Sequence, residues 1–218
     1  MPQRPKAEVR AAIQEAAAEV FADSGFERAA LSDIVERAGT SIGNLYKYFG
    51  NKEALFAEFI PRDFTAELTN RVRAQVEALR AEPDVFMLGA DHPYRRASEA
   101  LLTFTIAHRQ RVVFLLLRAQ GTTHERFASE FVRVLVELAI EHAHATYPAF
   151  VARTADKRAL TRIYRAFVGN LGTILVEERS EQAVRAAVAS QTAYHLSGLR
   201  ALFGGVSLPR EISGGRSR

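Results

Sequence analysis

Cysteine is missing from all 218 residues. With it go disulfides, zinc–thiolate centres and thiol nucleophiles, and the composition fits a reducing compartment. Long apolar runs are missing too. The longest, Val112–Leu117, falls far short of the ~20 residues that cross a bilayer, so no membrane span is expected. The opening residues, Met1-Pro2-Gln3-Arg4-Pro5-Lys6, contain no apolar stretch of the signal-peptide kind, and a cytoplasmic location is the expectation. There is no GxSxG, no phosphate-cradling glycine loop and no His-Glu-x-x-His, so neither an enzyme nor a cofactor is expected. The six histidines lack ligand spacing: His142 and His144 are two apart and diverge on a helix, and His92, His108, His124 and His195 stand alone. No metal site is expected. A basic excess at the N-terminal end is absent as well. Residues 1–56 hold seven Lys/Arg against eight Asp/Glu, although the whole chain is +4. Bulk charge therefore does not argue for nucleic acid; only the placement of cations can.

What is present is a strong helical period over a chain that is 48% hydrophobic, enough for a real core. Val9, Ile13, Ala16, Ala17, Val20 and Phe21 recur at 3–4 spacing and predict a first helix over about 6–22, ended by Gly25 with Phe26 returning to the core. Leu31, Ile34 and Val35 mark a second helix over about 32–38, and a third follows over 41–48. Asn51 caps a fourth, expected to run from Lys52 to about Ala81 with an irregularity at Pro61. After a loop at 82–93, helices are expected over about 94–108, 110–119, 124–146, 155–178 and 181–203. The fold class is thus all-α. A three-helix helix-turn-helix head (1–56) is joined through a long fourth helix to a larger helical body (57–203), with a flexible tail (204–218) rich in Gly, Ser and Arg.

The third helix is the informative one. Ser41 can cap it or meet a phosphate, and a helix N-terminus favours anions. Gly43 costs ~1 kcal/mol of helix propensity yet lets backbone approach a partner closely. Asn44 carries the donor–acceptor pair that matches adenine's edge. Tyr46 and Tyr48 can place hydroxyls on phosphates, Lys47 and Lys52 can neutralise them, and Leu45 and Phe49 pack inward. Arg4, Lys6 and Arg10 form either a solvated end or a minor-groove arm.

The joint pattern Ala16-Ala17, Phe21, Gly25-Phe26, Ile34, Ala38-Gly39, Ser41, Gly43, Leu45-Tyr46, Tyr48-Phe49, Lys52 and Leu55 resembles the head of the TetR family of transcriptional regulators, over about residues 9–56. The resemblance implies a homodimer that reads a palindromic double-stranded DNA operator and is released by a small, largely apolar effector. It implies DNA contacts from Ser41, Ile42, Gly43, Asn44, Tyr46, Lys47, Tyr48 and Lys52. Three positions depart from the family pattern. Ala29 and Ala30 replace the usual hydroxyl residues before the second helix, leaving Ser32 or Asp33 to cap it. Ile42 replaces a polar or basic residue and suits a thymine methyl. Thr40 replaces an apolar one.

In the body, Phe64, Phe86, Phe104, His108, Phe114, Phe131, Tyr164, Phe167 and Asn170 are the candidate pocket. The resemblance places dimer contacts on the last two helices, where the candidates are Phe167, Leu171, Leu175, Val184, Val188, Gln191, His195 and Leu199. The competing reading, motivated by Ala29, Ala30 and the net-acidic head, is a helical small-molecule-binding protein with weak or lost DNA binding.

Overall fold

The computed structural model describes residues 6–79, 82 and 84–205, and among these every regular element is helical. The expectations for Arg4, Pro83, the helix end at Ala81 and the tail from 206 onward lie outside the described residues.

Four helices build the head: α1 (Lys6–Arg28), α2 (Leu31–Arg37), α3 (Ile42–Phe49) and α4 (Lys52–Phe59). The 3–4 stripe of α1 turns Ile13, Ala16, Ala17, Val20 and Phe21 inward, against Ile34, Leu45, Phe49, Leu55 and Phe59 of the other three. The helical path of α1 is broken at Gly25, as expected: its φ 79, ψ 169 are non-helical, a region open essentially to glycine alone, and a short further turn carries the element on to Arg28. A side chain at Gly25 would also bring Cβ to 3.2 Å from the Arg118 carbonyl.

α2 closes in a Schellman turn: Thr40 N–H donates to the Val35 carbonyl (3.0 Å) and Gly39 N–H to that of Glu36 (3.1 Å), with Gly39 at φ 61. Its start is bare. Ala30 is the N-cap and offers no side-chain acceptor. Neither Ser32 nor Asp33 takes over, because the Ser32 hydroxyl bonds Asp33 instead (3.1 Å). Ala30→Ser should therefore stabilise the protein by about 1 kcal/mol, raising the melting temperature by roughly 2–4 °C for a chain of this size. An unchanged thermal transition would mean that the first donors of α2 are already satisfied.

The long fourth helix is divided, which corrects the expectation of one rod from Lys52 to Ala81. α4 stops at Phe59, and α5 begins only at Phe64 and runs to Glu77. Pro61 lacks an N–H and forces the preceding residue out of helical geometry; Ile60 accordingly sits at φ −116, ψ 89, its side chain buried.

The body continues with a 3₁₀ turn (Val85–Met87), α6 (Pro93–Ala107), α7 (Arg109–Val113), a π-helical turn (Phe114–Arg118), α8 (Phe127–Thr146), α9 (Thr154–Glu177) and α10 (Glu181–Phe203). α6 lies on α5, α8 on α9, and α9 on α10. The chain turns 90° between α6 and α7, with His108 at the corner. The apolar run after that corner is core: Val112 through Leu116 are buried. No single helix among the described residues is long and apolar enough to cross a membrane.

Head and body meet in a cluster of rings. Phe114 lies edge-on to Phe56 (5.2 Å) and Phe59 (5.5 Å), and these touch Phe21, Phe26 and His124. Two guanidiniums secure the joint: Arg111 Nε donates to the Phe59 carbonyl (2.6 Å) and Arg118 Nε to that of Asp23 (3.3 Å).

Candidate DNA interface and body groove

α3 is fixed from below and free above. Leu45 and Phe49 anchor it in the head, while Ser41, Ile42, Gly43, Asn44, Tyr46 and Lys47 are exposed. Ser41 Oγ accepts the Asn44 N–H (3.3 Å), so it caps the helix. Asn44 Nδ2 donates to Thr40 Oγ1 (3.0 Å), which orients the amide and gives Thr40 a purpose. A Cβ on Gly43 would meet only Ser41 Oγ at 3.9 Å. Among the described residues, none requires a glycine there. Ile42 and Tyr46, 44% and 50% exposed, are large apolar groups left in the open beside it.

Two of the expected contributors, and also Arg10, have partners within the chain. Tyr48 is half-buried and packs against the core. Lys52 lies over the Phe26 ring (4.7 Å) and donates to the Glu27 carbonyl (3.4 Å), with desolvation pulling its pKa down; it ties α4 to the end of α1. Arg10 is no arm. Its guanidinium grips both oxygens of Glu58 (2.6 and 2.7 Å) and lies over Phe49 (5.2 Å), and Gln14 joins the same carboxylate (2.6 Å). These contacts fix the α3 base to α1 and α4.

The nine candidate pocket residues do not surround one space. Phe114 belongs to the head–body joint. Phe131 stacks on Phe127 (5.4 Å) in α8. Tyr164 and Phe167 pack on His195 at the α9–α10 seam (4.8 and 4.2 Å). Phe86 and Asn170 are exposed. Phe64, Phe104 and His108 do meet: Phe64 stacks on Phe104 (5.5 Å), and both touch the imidazole (5.4 and 4.6 Å). Phe104 and His108 line an open groove of about 650 Å³ along α5 and α6, with Arg71, Ala90, Arg95, Arg96, Glu99, Ala100, Thr103 and Ala107. The arginines were not anticipated. In the sequence they are indistinguishable from an ordinary solvated helix face, and only the approach of α5 makes that face concave.

His108 connects this groove to the head. Its Nδ1 lies 3.2 Å from Arg111 Nη1. Arginine only donates, so Nδ1 accepts and the proton of the neutral ring sits on Nε2. Burial, and then the Arg111 charge, push the His108 pKa down and favour that neutral form. The same Arg111 holds the Phe59 carbonyl at the end of α4. His108 and Ala107 also line a second cleft of about 400 Å³, walled by Gln14, Glu15 and Glu58 of the head.

The expected dimer residues divide as well. Leu175, Val184, His195 and Leu199 are buried within the single chain, and Phe167, Leu171, Val188 and Gln191 are half-buried, Gln191 donating to the Phe167 carbonyl (2.8 Å). Phe167, Gln191 and His195 among them meet between α9 and α10. The outward faces carry other residues: Ile163, Val176 and Tyr194 are 38%, 51% and 85% exposed. Gly169 and Gly198 have open space where a Cβ would stand, whereas Gly172 is closed by Leu117 of the same chain.

Residues 13–59 match the family model of bacterial regulatory proteins, tetR family. An uncharacterized HTH-type transcriptional regulator of Bacillus subtilis, YdgC, is 40% identical over 75 residues, 34% of this chain and 36% of its own length. The chain thus spans about a third of YdgC. The HTH-type transcriptional regulator UidR of Escherichia coli is 26% identical over 210 residues, covering 90% of this chain and 92% of UidR. Among solved structures, a TetR-family transcriptional regulator from Pectobacterium atrosepticum is 21% identical with a TM-score of 0.46, covering 90% of this chain and 97% of that one. These similar proteins are regulators rather than enzymes. With the head motif, the exposed α3 and the family match in agreement, residues 13–59 form a helix-turn-helix head of the kind found in bacterial regulatory proteins of the tetR family.

Proposed function

We propose that the protein is a homodimeric repressor that leaves a palindromic operator when a small effector binds its body. The observation that carries the DNA reading is Gly43: a helix-weakening residue on an exposed helix, with no neighbour among the described residues that needs it. In this reading Ser41, Ile42, Gly43 and Asn44 face the bases and backbone of one major groove, and Tyr46 and Lys47 bond phosphates. Tyr48 adds its hydroxyl from a packed ring. Two heads engage successive grooves about 34–36 Å apart. The outward faces of α9 and α10, bearing Ile163, Val176 and Tyr194 and the open Gly169 and Gly198, support pairing of two copies. Effector binding acts by population shift, limited by its differential affinity for the two head arrangements. Operator and effector then weaken each other by the same factor.

The test is a titration of duplex DNA from upstream of the protein's own gene at several salt concentrations. A repressor dimer gives a steep fall of log affinity with log salt, at two chains per duplex. Lys47→Gln should reduce that slope by about two, roughly one for each phosphate lost per head. Tyr46→Ala should weaken binding by about a hundredfold or more, one hydrogen bond to a charged group lost in each of two heads, with the melting temperature unchanged. A shallow, weak response to every duplex would favour the second reading, a small-molecule-binding protein without useful DNA affinity.

A further inference from the structure

We infer that the groove along α5 and α6 takes a small organic anion with an apolar body, a carboxylate or a phosphate monoester. The inference deepens the reading of the body as an effector module, and rests on it; it replaces the expected, largely apolar ligand by a charged one.

The argument is a charge balance. Three guanidiniums border the groove, from Arg71, Arg95 and Arg96, and one carboxylate, from Glu99. Two of the nearby acids, Glu99 and Glu67, are already engaged, and the Asp91 carboxylate lies beyond ion-pair distance of Arg95 and Arg96. Glu99 is paired with Arg185 (2.6 Å), on the α10 side. Arg71 is paired with Glu67 (2.7 Å) and lies flat over Phe104 (4.3 Å). Arg96 bonds only the neutral main-chain carbonyl of Asp91 (2.6 Å). Arg95 has no acidic partner within ion-pair distance among the described residues. Two exposed cations therefore stand uncompensated at the mouth of a concavity, the arrangement that binds a carboxylate or phosphate through paired N–H donors.

The rest of the groove suits an apolar body. Ala90, Ala100 and Ala107 leave room, Phe104 supplies the floor, and His108 stands at the far end. An anion seated on Arg95 and Arg96 directs its other end toward the His108 ring. That ring holds Arg111, and Arg111 holds the end of α4. The ligand thus reaches the head through two hydrogen bonds rather than along a helix.

The test uses the full chain and three probes with one tail: octanoate, octyl phosphate and octanol, titrated calorimetrically at fixed ionic strength. At least one anion should bind tenfold or more tightly than octanol, and the preferred anion tells carboxylate from phosphate. Arg95→Gln with Arg96→Gln should remove that preference. Both side chains are exposed, so the thermal transition of the double variant should match the parent and show that it folds. Equal binding of octanol and both anions, or an unchanged anion affinity in the double variant, overturns the inference. Operator affinity measured with and without octanoate separates the two readings. An anion that binds without loosening DNA keeps this inference and sinks effector release; release of DNA by octanol, with no anion bound, sinks this inference and keeps release.

Discussion

Phe114→Ala should cost about 3–5 kcal/mol of unfolding free energy, the range for removing a fully buried ring from a core. For a chain of this length that is roughly 6–20 °C in melting temperature. Phe114 has no exposed surface, and its ring is the body's contribution to the cluster that includes Phe56 and Phe59. The cavity would open at the joint itself, where the π-helical turn meets α1 and α4. Relaxation there is restrained on three sides: by the Arg111 bond to Phe59, by the Arg118 bond to Asp23, and by the close pass of Gly25 to the Arg118 carbonyl. The loss should therefore lie toward the upper end of the range, and Phe114→Leu should recover most of it. Urea unfolding of the three proteins decides the matter. A cost under 1 kcal/mol for the alanine variant would show that the ring does not hold head to body.

The second large effect is on acid stability. His195 is buried between Tyr164 and Phe167, its Nε2 has no hydrogen-bond partner, and burial lowers its pKa to about 4. An unfolded chain takes up that proton below pH ~6.5, whereas the folded one resists until about pH 4. Stability is thus complete above pH ~6.5 and falls as the pH drops from there to the folded pKa, because over that window the unfolded state binds more protons. At 1.36 kcal/mol per unit, His195 alone accounts for about 3 kcal/mol of loss by pH 4. Burial also pushes His124 and His142 down, and His108 follows from burial and Arg111, so the parent's slope sums several groups. The informative quantity is the difference between parent and His195→Phe, which keeps the ring and removes the titration. The variant should lose one proton's worth of slope between pH 6.5 and 4. Parallel stability curves for the two proteins would show that His195 ionises as easily folded as unfolded.

The head was legible in the sequence because its chemistry is local. Ala38-Gly39 marks a turn by backbone conformation, Ser41 and Asn51 mark caps by side-chain length, and Leu45 with Phe49 mark the inner face by spacing. None of these needs knowledge of a distant residue. The limits of α9 and α10 were legible for the same reason, to within a residue. Which face of each turns inward was not. The residues chosen for the dimer are buried or half-buried within the single chain, and Phe167, Gln191 and His195 among them meet between α9 and α10. Pro61 signalled an irregularity, but the full break also needed Ile60 to find a buried site off the helical path, which is a tertiary fact. The π-helical turn at 114–118 has no residue signature at all. The groove was missed because it belongs to two helices at once: Arg95 and Arg96 become a site only where Arg71 and Phe104 complete the wall. Most of the other aromatic candidates lie in the core, since large rings fill cores before they line cavities, while Phe104 and His108 do border the groove.

The interruption between α4 and α5 has a consequence for how the molecule keeps its bearings. Along an unbroken helix, each residue inserted at the junction would spin the head by about 100°, and its aim at DNA would depend on an exact residue count. Here the azimuth is set by interlocked rings and two guanidinium ties, and the covalent link at 60–63 is a short turn beside them, pinned by the buried Ile60. Orientation is thereby insulated from the length of the connection, and evolution can alter that connection without re-aiming the reading helix.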